Sequence, residues 1–175
     1  AMVTAAFELL ADADPAVAPK LIKELATAAG PAGMIGGQVL DIAGEGVSLS
    51  LAELQRIHAM KTGALLRASC RMGAICAAAT EAKLAAVTAY AKHVGLAFQI
   101  VDDLLDVTAT PEQLGKATRK DANRGKNTYP ALLGVEPSRT AAAAELQAAI
   151  DSLSLLGESA NGLVELARFV VQRSK

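Results

Sequence analysis

The chain has 175 residues, 52% of them hydrophobic, and a formal net charge of −1. This length fits a single domain with a substantial core. A charge so near neutrality provides no global field to attract nucleic acid or an acidic membrane surface, so any basic function must be local. Because the chain has no Trp and much of its apolar content is alanine, its composition favours close-packed helices over sheets.

Signals for export, membrane insertion and cysteine chemistry are weak in this sequence. No cationic, apolar leader opens the chain, and its longest uncharged run, 25–40, is too short and too rich in glycine to span a bilayer. We therefore expect a cytoplasmic protein without a membrane span. Cys70 and Cys76 have neither the number nor the spacing of a zinc site or a disulfide framework, and we predict that both are small buried hydrophobes.

Apolar periodicity predicts helices along the whole chain, and no strand-like alternation persists. The expected fold class is all-α, with helices over 1–11, 20–29, 32–42, 50–79, 81–107, 129–133, 137–156 and 163–172. The first helix starts without a cap, which suggests that it continues one that began earlier. The third is apolar nearly all round, which predicts burial. Its polar pair, Gln38 and Asp41, shares a face and either forms an internal hydrogen bond or serves a site.

The helix over 50–79 opens with a capping box, Ser50-Leu-Ala-Glu53. Lys61 lies within an apolar part of this helix, where a lysine either snorkels to the surface or pairs with an anion; the pattern alone favours snorkelling. The hydroxyl of Thr62 can bond its own preceding turn. His93, on the next helix, has no second histidine nearby and is interpreted as a satisfied structural residue.

One stretch of the helix over 81–107 concentrates acidic side chains. At about 100° per residue, Gln99, Asp102, Asp103 and Asp106 fall within one arc roughly 100° wide. Three carboxylates on a narrow face repel one another unless a cation lies between them, and oxygen ligands suit a hard ion such as Mg²⁺. This face therefore predicts a magnesium site; the alternative is a solvated face of an amphipathic helix.

A basic segment follows the acidic face. The polar, glycine-punctuated stretch 115–128 is predicted to be a loop, and its cations are Lys116, Arg119, Lys120, Arg124 and Lys126. A diphosphate must be met by positive charge from several sides, and metal-holding carboxylates followed by lysines provide this. Taken alone, such a run is more typical of a solvated loop than of a phosphate site.

Several motifs, in order, resemble the C-terminal half of trans-isoprenyl diphosphate synthases, in particular the bacterial farnesyl diphosphate synthases or geranyltranstransferases. They are Gly-Gly-Gln-Val-Leu-Asp (36–41), Ile-His-Ala-Met-Lys-Thr-Gly-Ala-Leu (57–65), Ala-Phe-Gln-Ile-Val-Asp-Asp-Leu-Leu-Asp (97–106), Leu-Gly-Lys (114–116), Lys-Asp (120–121) and Gly-Lys-Asn-Thr-Tyr-Pro (125–130). The likeness extends to Arg173.

The resemblance implies that residues 1–175 are a single all-helical segment, the C-terminal part of an isoprenoid-synthase bundle. It also implies a homodimer and a Mg²⁺-dependent prenyltransferase. In that family an allylic diphosphate, dimethylallyl or geranyl, ionises and isopentenyl diphosphate attacks the allylic cation. Pyrophosphate and a proton are released, and the product is farnesyl diphosphate or a similar short-chain polyprenyl diphosphate.

The same resemblance assigns roles to individual residues. The second aspartate-rich motif, which holds Mg²⁺ on the allylic diphosphate, matches Asp102, Asp103 and Asp106. The lysines that grip that diphosphate match Lys61, Lys116 and Lys126. Residues whose oxygens face the carbocation match Thr62 and Gln99, so that Lys61, Thr62 and Gln99 are the candidate catalytic residues. Positions that line the substrate cavity match Gln38 and Asp41.

The family's basic Gly-Gly-Lys-Arg-type segment, its Arg pair and its first aspartate-rich motif have no match in this sequence. We therefore expect this polypeptide by itself to be inactive or nearly so. It is either a portion of a longer enzyme or a true fragment.

Two rival functions remain. One is a non-catalytic helical subunit that pairs with an active synthase, against which the intact aspartates and lysines argue. The other is an anion- or nucleic-acid-binding module built on 116–126. The absence of aromatic residues beside those charges argues against it, so no nucleic-acid partner is expected.

Overall fold

The computed structural model describes residues 2–108 and 127–173, and helices dominate both ranges. The helices are α1 (Met2–Ala11), α2 (Ala18–Ala29), α3 (Met34–Ala43), α4 (Leu51–His58), α5 (Ala64–Cys76), α6 (Glu81–Thr108), α7 (Tyr129–Leu133), α8 (Val135–Ser152) and α9 (Asn161–Gln172). A 3₁₀ turn, Ser154–Ala160, connects the last two. Since neither described range contains a strand, the all-α prediction is confirmed.

The helix expected over 50–79 begins as predicted but is interrupted. Ser50 Oγ accepts a hydrogen bond from the Glu53 N–H, and the Glu53 carboxylate accepts one from the Ser50 N–H at 2.8 Å, which completes the capping box. A π-helical turn over Ala59–Gly63 then separates α4 from α5, and α5 ends at Cys76. Lys61 and Thr62 lie within this turn, a type of irregularity often found at functional sites.

The central element is α6, which packs along α8 and also contacts α5 and α9. Tyr90, in its first half, is fully buried, and its hydroxyl donates a 2.7 Å hydrogen bond to the Leu163 carbonyl oxygen. Burial raises the pKa of Tyr90 to about 12. Ala142 and Ala149 are buried on α8, where their small side chains let the two helices approach closely.

Helix α6 is also long and apolar enough, by length and composition, to cross a membrane. Residues such as Tyr90 and Ile100 are fully buried against other helices. A packed core helix passes the same test of length and composition.

The prediction that α3 is a buried helix is wrong for most of its surface. Only Gly37 is buried, whereas Ile35, Val39 and Ile42 are exposed by 53%, 60% and 58%. The face that carries Gly37 packs on the π-helical turn, and within the described ranges the remaining apolar face has no comparable cover. An apolar pattern all round the helix therefore did not correspond to burial all round.

The prediction that both cysteines are buried holds only in part, and only for Cys70, which is partly buried. Cys70 packs against the core between α6, α8 and α9, and burial raises the pKa of its thiol. Cys76 is exposed, so the prediction of burial is wrong there. It is the last residue of α5, where the chain turns away from the bundle. The satisfied role expected for His93 is confirmed, since its Nδ1 lies 2.7 Å from a Glu145 carboxylate oxygen.

Candidate active site

A cavity of about 220 Å³ lies between α3, α4, the C-terminal half of α6 and the chain that leads into α7. Its walls combine acidic, basic and amide side chains with a few apolar ones. The lining residues are Asp41, Gly44, Glu45, Leu49, Leu54, Ile57, His58, Lys61, Gln99, Asp102, Asp103, Asp106, Asn127 and Thr128.

The acidic face of α6 opens onto this cavity. Gln99, Asp102, Asp103 and Asp106 all line it, as expected for positions i, i+3, i+4 and i+7 of one helix. The opposite side of the helix is apolar and is buried in the core, where Ile100 has no exposed surface. Core packing of the apolar side thus turns the carboxylates toward the cavity.

Asp103 is the least exposed of these carboxylates, with a side chain 14% exposed. Its Oδ2 accepts a 2.9 Å hydrogen bond from the backbone N–H of Tyr129, the first residue of α7. The same oxygen lies 3.3 Å from Nε2 of His58, at the C-terminal end of α4. One carboxylate oxygen therefore joins three helices.

Tyr129 and His58 also contact each other. Their rings stack with centroids 6.0 Å apart and an angle of 12° between the planes. The Tyr129 hydroxyl accepts a 2.9 Å hydrogen bond from Gln55 Nε2, one turn before His58 on α4. Burial raises the pKa of Tyr129, so the phenol stays protonated at neutral pH.

Asp102 has a different partner at the C-terminal end of the described chain. Its Oδ1 accepts a 2.5 Å hydrogen bond from Nη2 of Arg173, which also donates to the Phe98 carbonyl oxygen at 3.1 Å. The Arg173 guanidinium lies over the Phe98 ring, 3.9 Å from its centroid. The Asp102 side chain remains 48% exposed, so this carboxylate is both paired and open to the cavity.

Lys61 and Asp41 form an ion pair in the cavity wall. Nζ of Lys61 lies 2.5 Å from Asp41 Oδ2, with the two side chains 36% and 42% exposed. Of the alternatives for Lys61, pairing with an anion is the one observed. Gln38 is exposed and does not line this cavity, and the Asp41 carboxylate pairs with Lys61. Thr62 is half-buried on the π-helical turn, beside Lys61 but outside the lining set.

Asn127 fixes the chain that enters α7 to the loop after α3. Its Oδ1 accepts a hydrogen bond from the Leu49 N–H, and its Nδ2 donates to the carbonyl oxygens of Gly44 and Val47. These three bonds, 2.9–3.1 Å long, satisfy most of the hydrogen-bonding capacity of one amide. Thr128 then caps α7 by accepting from the Ala131 N–H.

Comparison with known families assigns the chain. The family model described as polyprenyl synthetase matches residues 1–160. The chain belongs to the polyprenyl synthetase family.

Curated members of this family align with the whole chain, and the chain spans only part of them. Farnesyl diphosphate synthase of Escherichia coli (strain K12) is 45% identical over 184 residues, which is 100% of this chain and 62% of that protein. Chloroplastic geranylfarnesyl diphosphate synthase of Leucosceptrum canum is 40% identical over 185 residues, 100% of this chain and 50% of that protein.

A solved structure of a polyprenyl synthetase relative has the same fold. The apo structure of an FPP/GFPP synthase from Zymomonas mobilis superposes with a TM-score of 0.83 at 37% identity. The match covers 96% of this chain and 57% of that one. The fold and the partial span therefore agree between sequence and structure comparisons.

The donor set of the acidic face fits a magnesium ion that is shared with a substrate. Within residues 2–108 and 127–173, no three His, Cys, Asp or Glu side chains come close enough together to hold a metal by themselves. Magnesium, however, is usually bound by one or two carboxylates, waters and substrate phosphates rather than by an all-protein cage. Asp102 and Asp103, adjacent on one cavity wall, meet that requirement.

Two of the predicted diphosphate-binding lysines, Lys116 and Lys126, lie outside the described residues, as do the other cations of the basic segment. The described chain resumes at Asn127, which follows Lys126 in sequence and itself lines the cavity.

Sequence reasoning did not assign roles to His58, Tyr129 or Asn127, although all three lie within the quoted motifs. His58 precedes Lys61 by three residues, a spacing that places two helical side chains on one face. That spacing was the available signal for His58. The Asn127 amide bonds backbone groups that are distant in sequence, and the Tyr129 backbone N–H bonds the distant Asp103 carboxylate. No local sequence pattern exists for either contact.

Proposed function

We propose that the protein containing this chain is a prenyltransferase that condenses an allylic diphosphate with isopentenyl diphosphate. We also propose that the residues lining this cavity form one side of its active site. The observation that carries the proposal is the convergence of Gln99, Asp102 and Asp103 with Lys61 on one cavity in a member of the polyprenyl synthetase family. Relatives that bear the names farnesyl, geranylgeranyl and geranylfarnesyl diphosphate synthase support the same class of reaction.

In this proposal Asp102, Asp103 and Asp106 hold magnesium on the allylic diphosphate. When bound, the metal supplies positive charge that stabilises the departing diphosphate. Carboxylates on one rigid helix suit this task because the core packing of α6 fixes their spacing before the ligand arrives.

Lys61 is proposed to contact the same diphosphate. Its ammonium group is held in the wall by Asp41, and a phosphate oxygen would provide a second anionic partner. Lys116 and Lys126 would add positive charge from the basic segment. Together with the metal, these cations meet a leaving group that carries several negative charges.

The carbon chemistry requires no protein nucleophile. The allylic C–O bond breaks and pyrophosphate departs, the double bond of isopentenyl diphosphate forms the new C–C bond, and a proton is then lost.

The amide oxygen of Gln99 and the hydroxyl of Thr62 are proposed to face the allylic cation. Gln38 and Asp41 are proposed to line the substrate cavity of the whole protein. Oxygen dipoles fixed in place stabilise a developing positive charge without reorganising.

The experiment measures Mg²⁺-dependent binding of geranyl S-thiolodiphosphate, which cannot ionise readily, to the whole protein. Asp102→Asn and Asp103→Asn should each remove most of the magnesium-dependent part of the affinity. Asp151→Asn, on the exposed face of α8, is the matched control and should bind as the parent does. Binding that ignores both magnesium and the two aspartate substitutions would favour the non-catalytic subunit or an anion-binding module.

We further propose that residues 1–175 are the C-terminal part of a larger prenyl synthase domain, which acts as a homodimer in the cytoplasm. The partial span of relatives supports the first point. Intact mass of the natural protein and its oligomeric state by light scattering test both structural points.

A further inference from the structure

His58 makes two specific contacts although it is nearly inaccessible, with 7% of its surface exposed. It ends α4, immediately before the π-helical turn that carries Lys61. Its ring stacks on Tyr129, and its Nε2 lies 3.3 Å from Asp103 Oδ2. A buried imidazole nitrogen requires a hydrogen-bond partner, and here the partner is a carboxylate of the proposed metal site.

The same carboxylate oxygen receives a second hydrogen bond. The backbone N–H of Tyr129 donates to Asp103 Oδ2 at 2.9 Å. Two donors from two different helices thus converge on one oxygen of a third helix. Because a carboxylate group is planar, fixing Oδ2 from two directions also fixes the direction in which the group presents Oδ1.

We infer that His58 is a positioning residue, which together with the Tyr129 amide orients the Asp103 carboxylate for the metal–diphosphate complex. This inference rests on the proposed function, in which Asp103 holds magnesium. In the tautomer protonated on Nε2, the imidazole donates to Oδ2. A residue that hydrogen-bonds a metal ligand, without contacting the metal, reduces the free-energy cost of orienting that ligand when the metal binds.

Stacking and hydrogen bonding make separable contributions at this position. A phenylalanine at position 58 retains a flat ring against Tyr129 but has no donor for Asp103. A glutamine loses the ring but carries an Nε2 donor at nearly the reach of the imidazole Nε2. If His58 only filled space, phenylalanine would be the better replacement; if it positions Asp103, glutamine is.

The test is isothermal titration calorimetry, in which Mg²⁺ is added to the whole protein at saturating geranyl S-thiolodiphosphate and the magnesium affinity is obtained from the heat of binding. His58→Phe should weaken magnesium binding about 10- to 100-fold, the usual effect of losing a partner of a metal ligand. His58→Gln should restore most of the affinity. The matched control is His93→Phe, the same substitution at the chain's other histidine. His93 pairs with Glu145, neither residue lines the cavity, and the substitution should leave magnesium binding unchanged.

A double-mutant cycle separates action through Asp103 from a general effect on the fold. In the Asp103→Asn background, His58→Phe should cause no further loss of magnesium affinity. Near-ultraviolet circular dichroism checks that each variant is folded. If His58→Phe does not fold, His58→Asn, whose amide is too short to reach Asp103 Oδ2, takes its place and should show the same loss.

Three results would overturn the inference. If His58→Phe leaves magnesium binding intact while Asp103→Asn weakens it, His58 has no positioning role and the proposed function still stands. The same holds if His58→Gln binds magnesium no better than His58→Phe. If Asp103→Asn itself has no effect on magnesium binding, the proposed function fails and the inference fails with it.

Discussion

The backbone of Gly37 in α3 lies in direct contact with the backbone of Lys61 in the π-helical turn. A Cβ atom on Gly37 would lie 2.3 Å from the Lys61 nitrogen and 2.7 Å from its Cα. Backbone atoms cannot move aside as the end of a side chain can. Any residue larger than glycine must therefore push α3 away from the turn that carries Lys61.

Gly37→Ala should lower the free energy of unfolding by about 1–3 kcal/mol, the usual cost of overpacking. Urea denaturation measures the change. Gly73→Ala, within α5, is the matched control because, apart from its chain neighbours and the backbone of its own helix, no heavy atom lies within 4 Å of the added Cβ. It should raise the free energy of unfolding by about 0.5–1 kcal/mol, the helix preference for alanine over glycine. Equal effects of the two substitutions would contradict the close contact.

Arg173→Ala should destabilise the protein by about 1–2 kcal/mol, because it removes the hydrogen bond to Asp102, the bond to the Phe98 carbonyl and the stacking on the Phe98 ring. Arg168→Ala, five residues earlier and on α9, is the control. Its partner Glu165 and Arg168 itself are both well exposed, so the change should stay within about 0.5 kcal/mol. Thermal unfolding that shifts equally in both variants would argue against a structural role for Arg173.

The ion pair between Glu24 and Arg71 predicts a loss of stability in acid. Arg71 donates to both carboxylate oxygens, at 2.7 and 2.9 Å, and this pairing holds the pKa of Glu24 below its ordinary value of 4.5. The folded state therefore binds fewer protons than the unfolded state near that pH. The stabilisation is complete above pH 4.5 and is lost as the pH falls below it toward the lowered value in the folded state.

Glu24→Gln should consequently reduce the free energy of unfolding at pH 7, and its difference from the parent should shrink as the pH falls below 4.5. Urea denaturation at a series of pH values measures the difference. In an Arg71→Met background the pH-dependent part should become much smaller, since the hydrogen bonds from Arg71 are the main cause of the shift. A difference that stays constant with pH would show that the pair does not control this titration.

Sequence reasoning succeeded where the deciding interactions are local. The Ser50–Glu53 capping box is a contact between residues three apart, and it starts α4 as predicted. The same holds for the acidic face of α6, whose alignment follows from helical geometry alone. The sequence motifs identified the family, and the comparisons confirm that identification.

Predictions failed where distant contacts decide the outcome. The π-helical turn at 59–63 lies within a pattern that looks like a continuous helix, and the close approach of Gly37 to Lys61 cannot be found by reading either segment alone. Exposure of α3 likewise depends on which neighbours pack against it. The segment around Asp103 does not show whether this carboxylate serves as a metal ligand, a structural anchor or both, because the donors that hold it lie 45 and 26 positions away.

The amide of Asn127 has a consequence for the order in which the molecule assembles. It joins positions separated by 78 to 83 residues, so the two segments must meet across a long loop before any of its three bonds can form. Contacts of such separation usually form late in folding. The bonds are few and lie near the surface, so they should also open early under native conditions. Amide hydrogen exchange at Leu49 would then report the docking of Asn127 onto the loop after α3 separately from the unfolding of the helical core.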